Sequence, residues 1–115
     1  MSIIMYGIPN CDTIKKAKKW LDAEGIEFSF HDYRKQGIEA HLVQTFCEDL
    51  GWDKVLNKRG TTYRQLTQEQ KDNLNEDTAI PLLIEMPAMI KRPILFVNGE
   101  YHLGFKAEQY QRVFS

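Results

Sequence analysis

The chain is poor in the residues that commit a sequence to a special class. Two cysteines, Cys11 and Cys47, stand among 115 residues. That is too few for a disulfide scaffold or a cysteine-rich zinc site. Neither sign of charge dominates, since 15 basic residues meet 16 acidic ones for a net charge of -1. This excludes a strongly basic nucleic-acid binder and an acidic tail protein. No apolar run approaches the roughly 20 residues of a membrane span. Residues Met1–Tyr6 lack the basic start of a signal peptide. Serine/glycine linkers, repeats and low-complexity runs are missing, and so is a glycine-rich phosphate loop. The three histidines, His31, His41 and His102, are dispersed, so no metal site is expected.

What is there is apolar enough to fold: 43% of the chain is hydrophobic. A chain of this size buries roughly 65% of its unfolded surface. The expectation is a single soluble, cytoplasmic domain over residues 1–115 with two free thiols. Ile3–Tyr6 reads as a buried strand stopped at Gly7. From Asp12 to Glu24, Ile14, Ala17 and Leu21 recur at helical spacing. Lys15, Lys16, Lys18 and Lys19 fill the other face, with Asn10 or Cys11 as N-cap and Gly25 past the end. Glu27–Tyr33 alternates as a second strand, which makes a βαβ unit with parallel strands.

The middle of the chain reads as helical. Ile38, Leu42, Val43, Phe46 and Leu50 form a stripe closed by Gly51. Thr67–Gln70 fits a capping box that opens a short helix to about Leu74. Asp77 or Thr78 is the expected cap of a further helix, with Pro81 in its first turn and Pro87 near its end. After Pro93, Asn98-Gly99 between two strand-like runs predicts a hairpin, and a last helix follows from about Lys106 to Phe114. The order is that of an α/β thioredoxin-like fold with a helical insertion at approximately residues 38–90.

Cys11 is the most informative residue. It follows a strand and a turn and opens a helix, where unsatisfied N–H groups and the macrodipole favour an anion. Lys15, one turn on, adds positive charge. An ordinary thiol is about 3% thiolate at pH 7, and one titrating near 6.5 is about three-quarters thiolate. A free cysteine also packs as a small hydrophobe. The loop Pro9-Asn10 ahead of Cys11 argues against that here. Ile14 stands where a Cys-x-x-Cys motif would carry its second thiol, so the usual internal dithiol is excluded. Cys47, beside Val43 and Phe46, reads as a packing residue.

Two arginines are candidates for anion binding. Arg59 lies in Asn57–Arg64, a stretch with three bases, a glycine, two threonine hydroxyls and no acid. Arg92 precedes Pro93, which in thioredoxin-like folds is the place of a cis-proline beside the active cysteine. Met86-Pro87 competes for that place but falls inside a helical pattern.

The chain resembles the ArsC/Spx family of bacterial arsenate reductases and RNA-polymerase-binding regulators, and its YffB-like subgroup in particular. The resemblance is carried by residues 6–17 (YGIPNCDTIKKA), 30–34 (FHDYR), 56–62 (LNKRGTT), 86–93 (MPAMIKRP) and 103–105 (LGF). It implies Cys11 as the active thiol, Arg59 and Arg92 as anion-binding arginines and Pro93 as the cis-proline; Asn10 and Lys15, beside Cys11 at the helix start, are expected to assist in binding the substrate anion. It implies no tightly bound cofactor, glutathione as co-substrate, and glutaredoxin as a protein partner. Two positions depart from the arsenate reductases. Gly7 stands where they carry a histidine, and Phe105, followed by Lys106, where they carry a third arginine. Losing one of three arginines weakens oxyanion binding by about 1.5–3 kcal/mol, a factor of about 10 to 150. The expectation is a glutathione-dependent thiol reductase acting on a disulfide or oxyanion substrate. Arsenate reduction and a non-catalytic regulator that contacts RNA polymerase are the alternatives. No membrane or direct nucleic-acid partner is expected.

Overall fold

A computed structural model describes residues 2–115. In chain order the elements are β1 (Ile4–Gly7), α1 (Asp12–Ala23), β2 (Ser29–Asp32), α2 (Tyr33–Gln36) and α3 (Ala40–Leu50). There follow α4 (Trp52–Val55), α5 (Thr61–Arg64), α6 (Gln68–Asp72) and α7 (Glu76–Glu85). A 3-10 turn (Pro87–Met89), β3 (Ile94–Val97), β4 (Glu100–Leu103) and α8 (Ala107–Val113) complete the chain. Packing divides these into two compact units. One runs up to Gly37 and resumes over Arg92–Ser115; the other is Ile38–Lys91.

The first unit carries one sheet in the order β2-β1-β3-β4. β1 and β2 are parallel, with Tyr6 opposite His31, as a βαβ unit requires. β3 runs antiparallel to β1, with Met5 opposite Leu95. Asn98 (φ 53°) and Gly99 (φ 80°) form the two-residue hairpin loop, and Val97 pairs with Glu100 across it. Ile3, Met5, Leu95 and Val97 face Ile14, Ala17 and Leu21 of α1 and Tyr110 of α8 in one buried cluster. Each buried Ile, Leu, Val or Met side chain of the cluster contributes about 1.5–3 kcal/mol. α1 ends in a Schellman motif, in which Ile26 N–H donates to the Leu21 carbonyl (2.9 Å) around Gly25 at φ 68°. This is the thioredoxin-like α/β arrangement read from the order of elements.

The second unit is helical. α3 packs Val43, Phe46 and Cys47 inward, and its neighbours are α4 and α7. Two extended backbone bonds lace the unit: Asn57 N–H to the Met89 carbonyl and Lys91 N–H to the Val55 carbonyl, each 2.7 Å. The Thr67 capping box is present, although α6 stops at Asp72.

Several boundaries differ from expectation. β2 starts at Ser29 rather than Glu27, and Tyr33 opens a one-turn helix because the Asp32 carboxylate accepts from Arg34 N–H (2.8 Å). The cap of α7 is Asn75, not Asp77 or Thr78. Thr78 N–H donates to Asn75 Oδ1 (3.0 Å) while Asn75 N–H donates to Thr78 Oγ1 (2.9 Å). The reciprocal pair starts the helix earlier, so Pro81 lies in the helix interior rather than the first turn. It deprives the Asp77 carbonyl of a helical donor, a group on an exposed residue open to solvent. Pro87 begins the 3-10 turn after α7.

This cap is testable by denaturant melting. Asn75→Ala is expected to destabilise the protein by about 1 kcal/mol. Asp77→Ala is expected to change stability by less than about 0.5 kcal/mol. The reverse ranking would return the cap to Asp77.

Candidate active site at the start of the first helix

The site is built at the end of the sheet where β1 and β2 finish and β3 begins. β1 stops at Gly7, Ile8–Asn10 turns, and Cys11 takes the N-cap of α1 with extended dihedrals (φ -138°, ψ 125°). The Arg92-Pro93 peptide, immediately before β3, is cis. The Pro93 carbonyl accepts from Gly104 N–H (2.8 Å), which ties the cis loop to the residue after β4. Gly7 is what lets these segments close up. A Cβ there would lie 2.5 Å from Ile14 Cδ1 and 3.6 Å from Arg92 Cβ. Ile14 is fully buried in the core. A side chain at position 7, such as the histidine of the arsenate reductases, would require the buried Ile14 side chain to shift.

The electrostatics decide what the sulfur can do. Burial is the largest single influence on Cys11 and pushes its pKa up. Opposing it, in descending order, are the N–H of Ile14, a hydrogen bond from the Arg92 side chain, the N–H of Thr13 and the Arg92 charge. Together they outweigh burial and hold the thiol below its ordinary range. Cys11 is half-buried, so the sulfur is reachable. Cys47 is the opposite case. It is 2% exposed, and burial, reinforced by Glu76 and Glu48, pushes its thiol up to about 11. Both cysteines are free thiols.

The structure therefore brings together Cys11, Arg92 and Pro93. Asn10 and Lys15 are exposed beside Cys11 in sequence. Lys15 is not among the groups that act on the sulfur, so the charge expected from it is supplied by Arg92. Arg59 is exposed in the second unit, on the loop between α4 and α5, where its N–H donates to Asn57 Oδ1 (3.1 Å). Phe105, at the position of the family's third arginine, packs on the same core cluster as Cys11, with its ring 4.7 Å from that of Tyr110. Sequence reasoning passed over Tyr33, whose buried ring closes the end of β2. Its place in the alternation, two residues after His31, was the available signal. Among the described residues no three His, Cys, Asp or Glu side chains gather as a metal site. Among them, too, no helix is long and apolar enough to cross a membrane.

The account of the sulfur makes a directional prediction. Replacing Arg92 by Met removes both a hydrogen bond and a charge that favour the thiolate, and leaves the burial that opposes it. The pH midpoint of Cys11 alkylation by iodoacetamide is expected to rise. Cys47 is expected to react only after unfolding. An unchanged midpoint would remove Arg92 from the site.

Comparison with known proteins agrees with this geometry. A model of the ArsC family matches residues 6–113. An uncharacterized protein of Haemophilus influenzae is 43% identical over 113 residues, 98% of this chain and 99% of its own. The solved structure of a YffB protein superposes with a TM-score of 0.95 at 42% identity, covering 99% of this chain and 100% of that one. An arsenate reductase (ArsC) related protein from Brucella melitensis superposes with a TM-score of 0.81 at 42% identity, covering 100% and 96%. With a match over nearly its whole length, and with its thiol, arginine and cis-proline assembled at one end of the sheet, the chain belongs to the ArsC family.

Proposed function

We propose that the protein is a glutathione-dependent thiol-disulfide oxidoreductase with Cys11 as its single nucleophile. One observation carries the reading. The Cys11 sulfur is held toward its thiolate by two helix N–H groups and Arg92, while Ile14 occupies the place of a second thiol. A poised thiolate without a local partner suits a monothiol cycle resolved by another molecule.

The cycle balances as follows. The Cys11 thiolate attacks the glutathione sulfur of a mixed disulfide. A bond forms between Cys11 Sγ and that sulfur as the disulfide breaks, and the substrate sulfur leaves as a thiolate that takes a proton from water. The thiolate of a second glutathione then attacks the glutathionyl sulfur of the adduct. Glutathione disulfide is released, and Cys11 returns as a thiolate. One free glutathione is oxidised as the substrate sulfur is reduced to a thiol, and the glutathionyl sulfur passes from one disulfide to the next without changing oxidation state. Glutaredoxin is the protein partner that the family match offers for clearing the same adduct.

Arg92 holds a carboxylate of the glutathionyl group, since guanidinium pairs with carboxylates through two parallel hydrogen bonds. Arg59, which the resemblance pairs with the anion-binding arginines of the family, is a further candidate guanidinium for the substrate anion. Asn10 and Lys15, both exposed, are further candidate contacts for an anionic substrate. Arsenate is the weaker substrate because Phe105 offers an apolar ring where a third guanidinium would grip a tetrahedral oxyanion.

Mass spectrometry after treatment with glutathione disulfide is expected to find one glutathionyl group on Cys11 and none on Cys47. Cys11→Ser is expected to abolish it. A Cys11–Cys47 disulfide would replace the monothiol cycle with an internal one. Arg59→Ala is expected to raise KM for the glutathionylated substrate by about 10- to 150-fold without moving the Cys11 titration. Arsenate turnover at millimolar concentration with glutathione and glutaredoxin would favour the arsenate reading instead.

A further inference from the structure

Two phenol hydroxyls are buried without a hydrogen-bond partner, those of Tyr33 and Tyr110. Such groups are uncommon, because an O–H shut away from water without an acceptor costs stability. Tyr110 has a packing explanation. Its ring lies among those of Phe105, Trp20 and Phe114, at 4.7, 5.6 and 6.3 Å. No charged group acts on it. The aromatic contacts offset an idle hydroxyl.

Tyr33 is different. It is 4% exposed and is the first residue after β2, with its ring 6.0 Å from that of His31. β2 ends where β1 ends, since Asp32 is the partner of Gly7. Arg92 enters at this same end of the sheet, as its Cβ approach to Gly7 shows. The Tyr33 hydroxyl lies within electrostatic reach of the Arg92 guanidinium and the Tyr6 phenol. Arg92 in turn hydrogen-bonds the Cys11 sulfur. Thiol, guanidinium and an O–H with no acceptor therefore gather at one end of the sheet.

Burial, then Tyr6, push the Tyr33 phenol far above its ordinary range, with Arg92 pulling weakly the other way. It therefore remains an O–H throughout the pH range in which Cys11 works. An O–H donor beside a guanidinium is two-thirds of an anion-binding constellation, and the missing third is an acceptor oxygen. We propose that Tyr33 is a substrate-binding residue whose hydroxyl donates to a carboxylate or oxyanion oxygen that Arg92 draws to Cys11. The hydroxyl is closed to solvent in the free protein. The oxygen reaches it as the Arg92 side chain moves to take the anion. The assignment rests on Cys11 being the reacting thiol and adds the group that selects anionic substrates for it.

Two reagents with the same chemistry separate this role from a structural one. Iodoacetate and iodoacetamide both alkylate the Cys11 thiolate, but only iodoacetate carries a carboxylate. Tyr33→Phe is expected to lower the iodoacetate rate about tenfold relative to iodoacetamide, the worth of one hydrogen bond to a charged group. The iodoacetamide rate and its pH midpoint are expected to stay put, and the melting temperature not to fall. Tyr110→Phe removes the other idle hydroxyl and is expected to leave the ratio of the two rates unchanged. An unchanged ratio in Tyr33→Phe overturns the proposal, as does an equal fall with both reagents. A lower melting temperature also overturns it, because it would mean the hydroxyl already has a partner. Failure of wild-type protein to take up glutathione would be a separate result, striking the proposed substrate and leaving the anion selectivity to be read from the alkylation ratio.

Discussion

A half-buried sulfur at the start of α1 works against its own desolvation. Burial raises the pKa of Cys11 more than any single interaction lowers it. The thiolate is favoured only because several weak donors act at once. The N–H groups of Ile14 and Thr13 come from the helix start, and a hydrogen bond and a charge come from Arg92. Much of the first unit can be understood as the means of assembling those donors. The β1 strand ends at Gly7 so that Ile14 and Arg92 can approach. The cis Arg92-Pro93 peptide, anchored by Gly104, delivers the guanidinium from β3. The apolar face of α1 pins the helix so that its N-terminus points at one place.

The two cysteines show how far environment decides chemistry. Both are free, yet one is held below the ordinary thiol range and the other is pushed up to about 11. Cys47 sits inside α3, where the backbone N–H groups are already used, and the carboxylates of Glu48 and Glu76 oppose its ionisation. Cys11 sits where the N–H groups have no other partner. The near-neutral net charge of the chain conceals this contrast, because the decisive charge is a single guanidinium and not the lysine face of α1.

Much of this was legible in the sequence. Strand, turn, cysteine and helix in succession narrow the N-cap to Asn10 or Cys11, which the structure resolves as Cys11, and Asn98-Gly99 determines the hairpin, because both depend on local backbone preferences. The cis-proline was legible through the family resemblance together with position. What was not legible depends on reciprocal or distant contacts. Asn75 takes the cap of α7 because Thr78 answers it with its own hydroxyl, which moves Pro81 into the helix interior. Lys15 is close to Cys11 in sequence but is not among the groups acting on it, whereas Arg92, 81 residues away, is. Tyr33 has its significance from segments distant in sequence meeting at one end of the sheet, which no spacing rule announces.

The central claim concerns the protonation of one sulfur, and site-resolved titration reads it directly. With cysteines labelled at Cβ, NMR follows each thiol through its own pH curve in the folded protein and in urea. The account predicts two folded curves on either side of the unfolded one, with Cys11 titrating at lower pH and Cys47 near 11. A Cys11 curve at or above the unfolded one would contradict the account, because burial would then have prevailed over Ile14, Arg92 and Thr13.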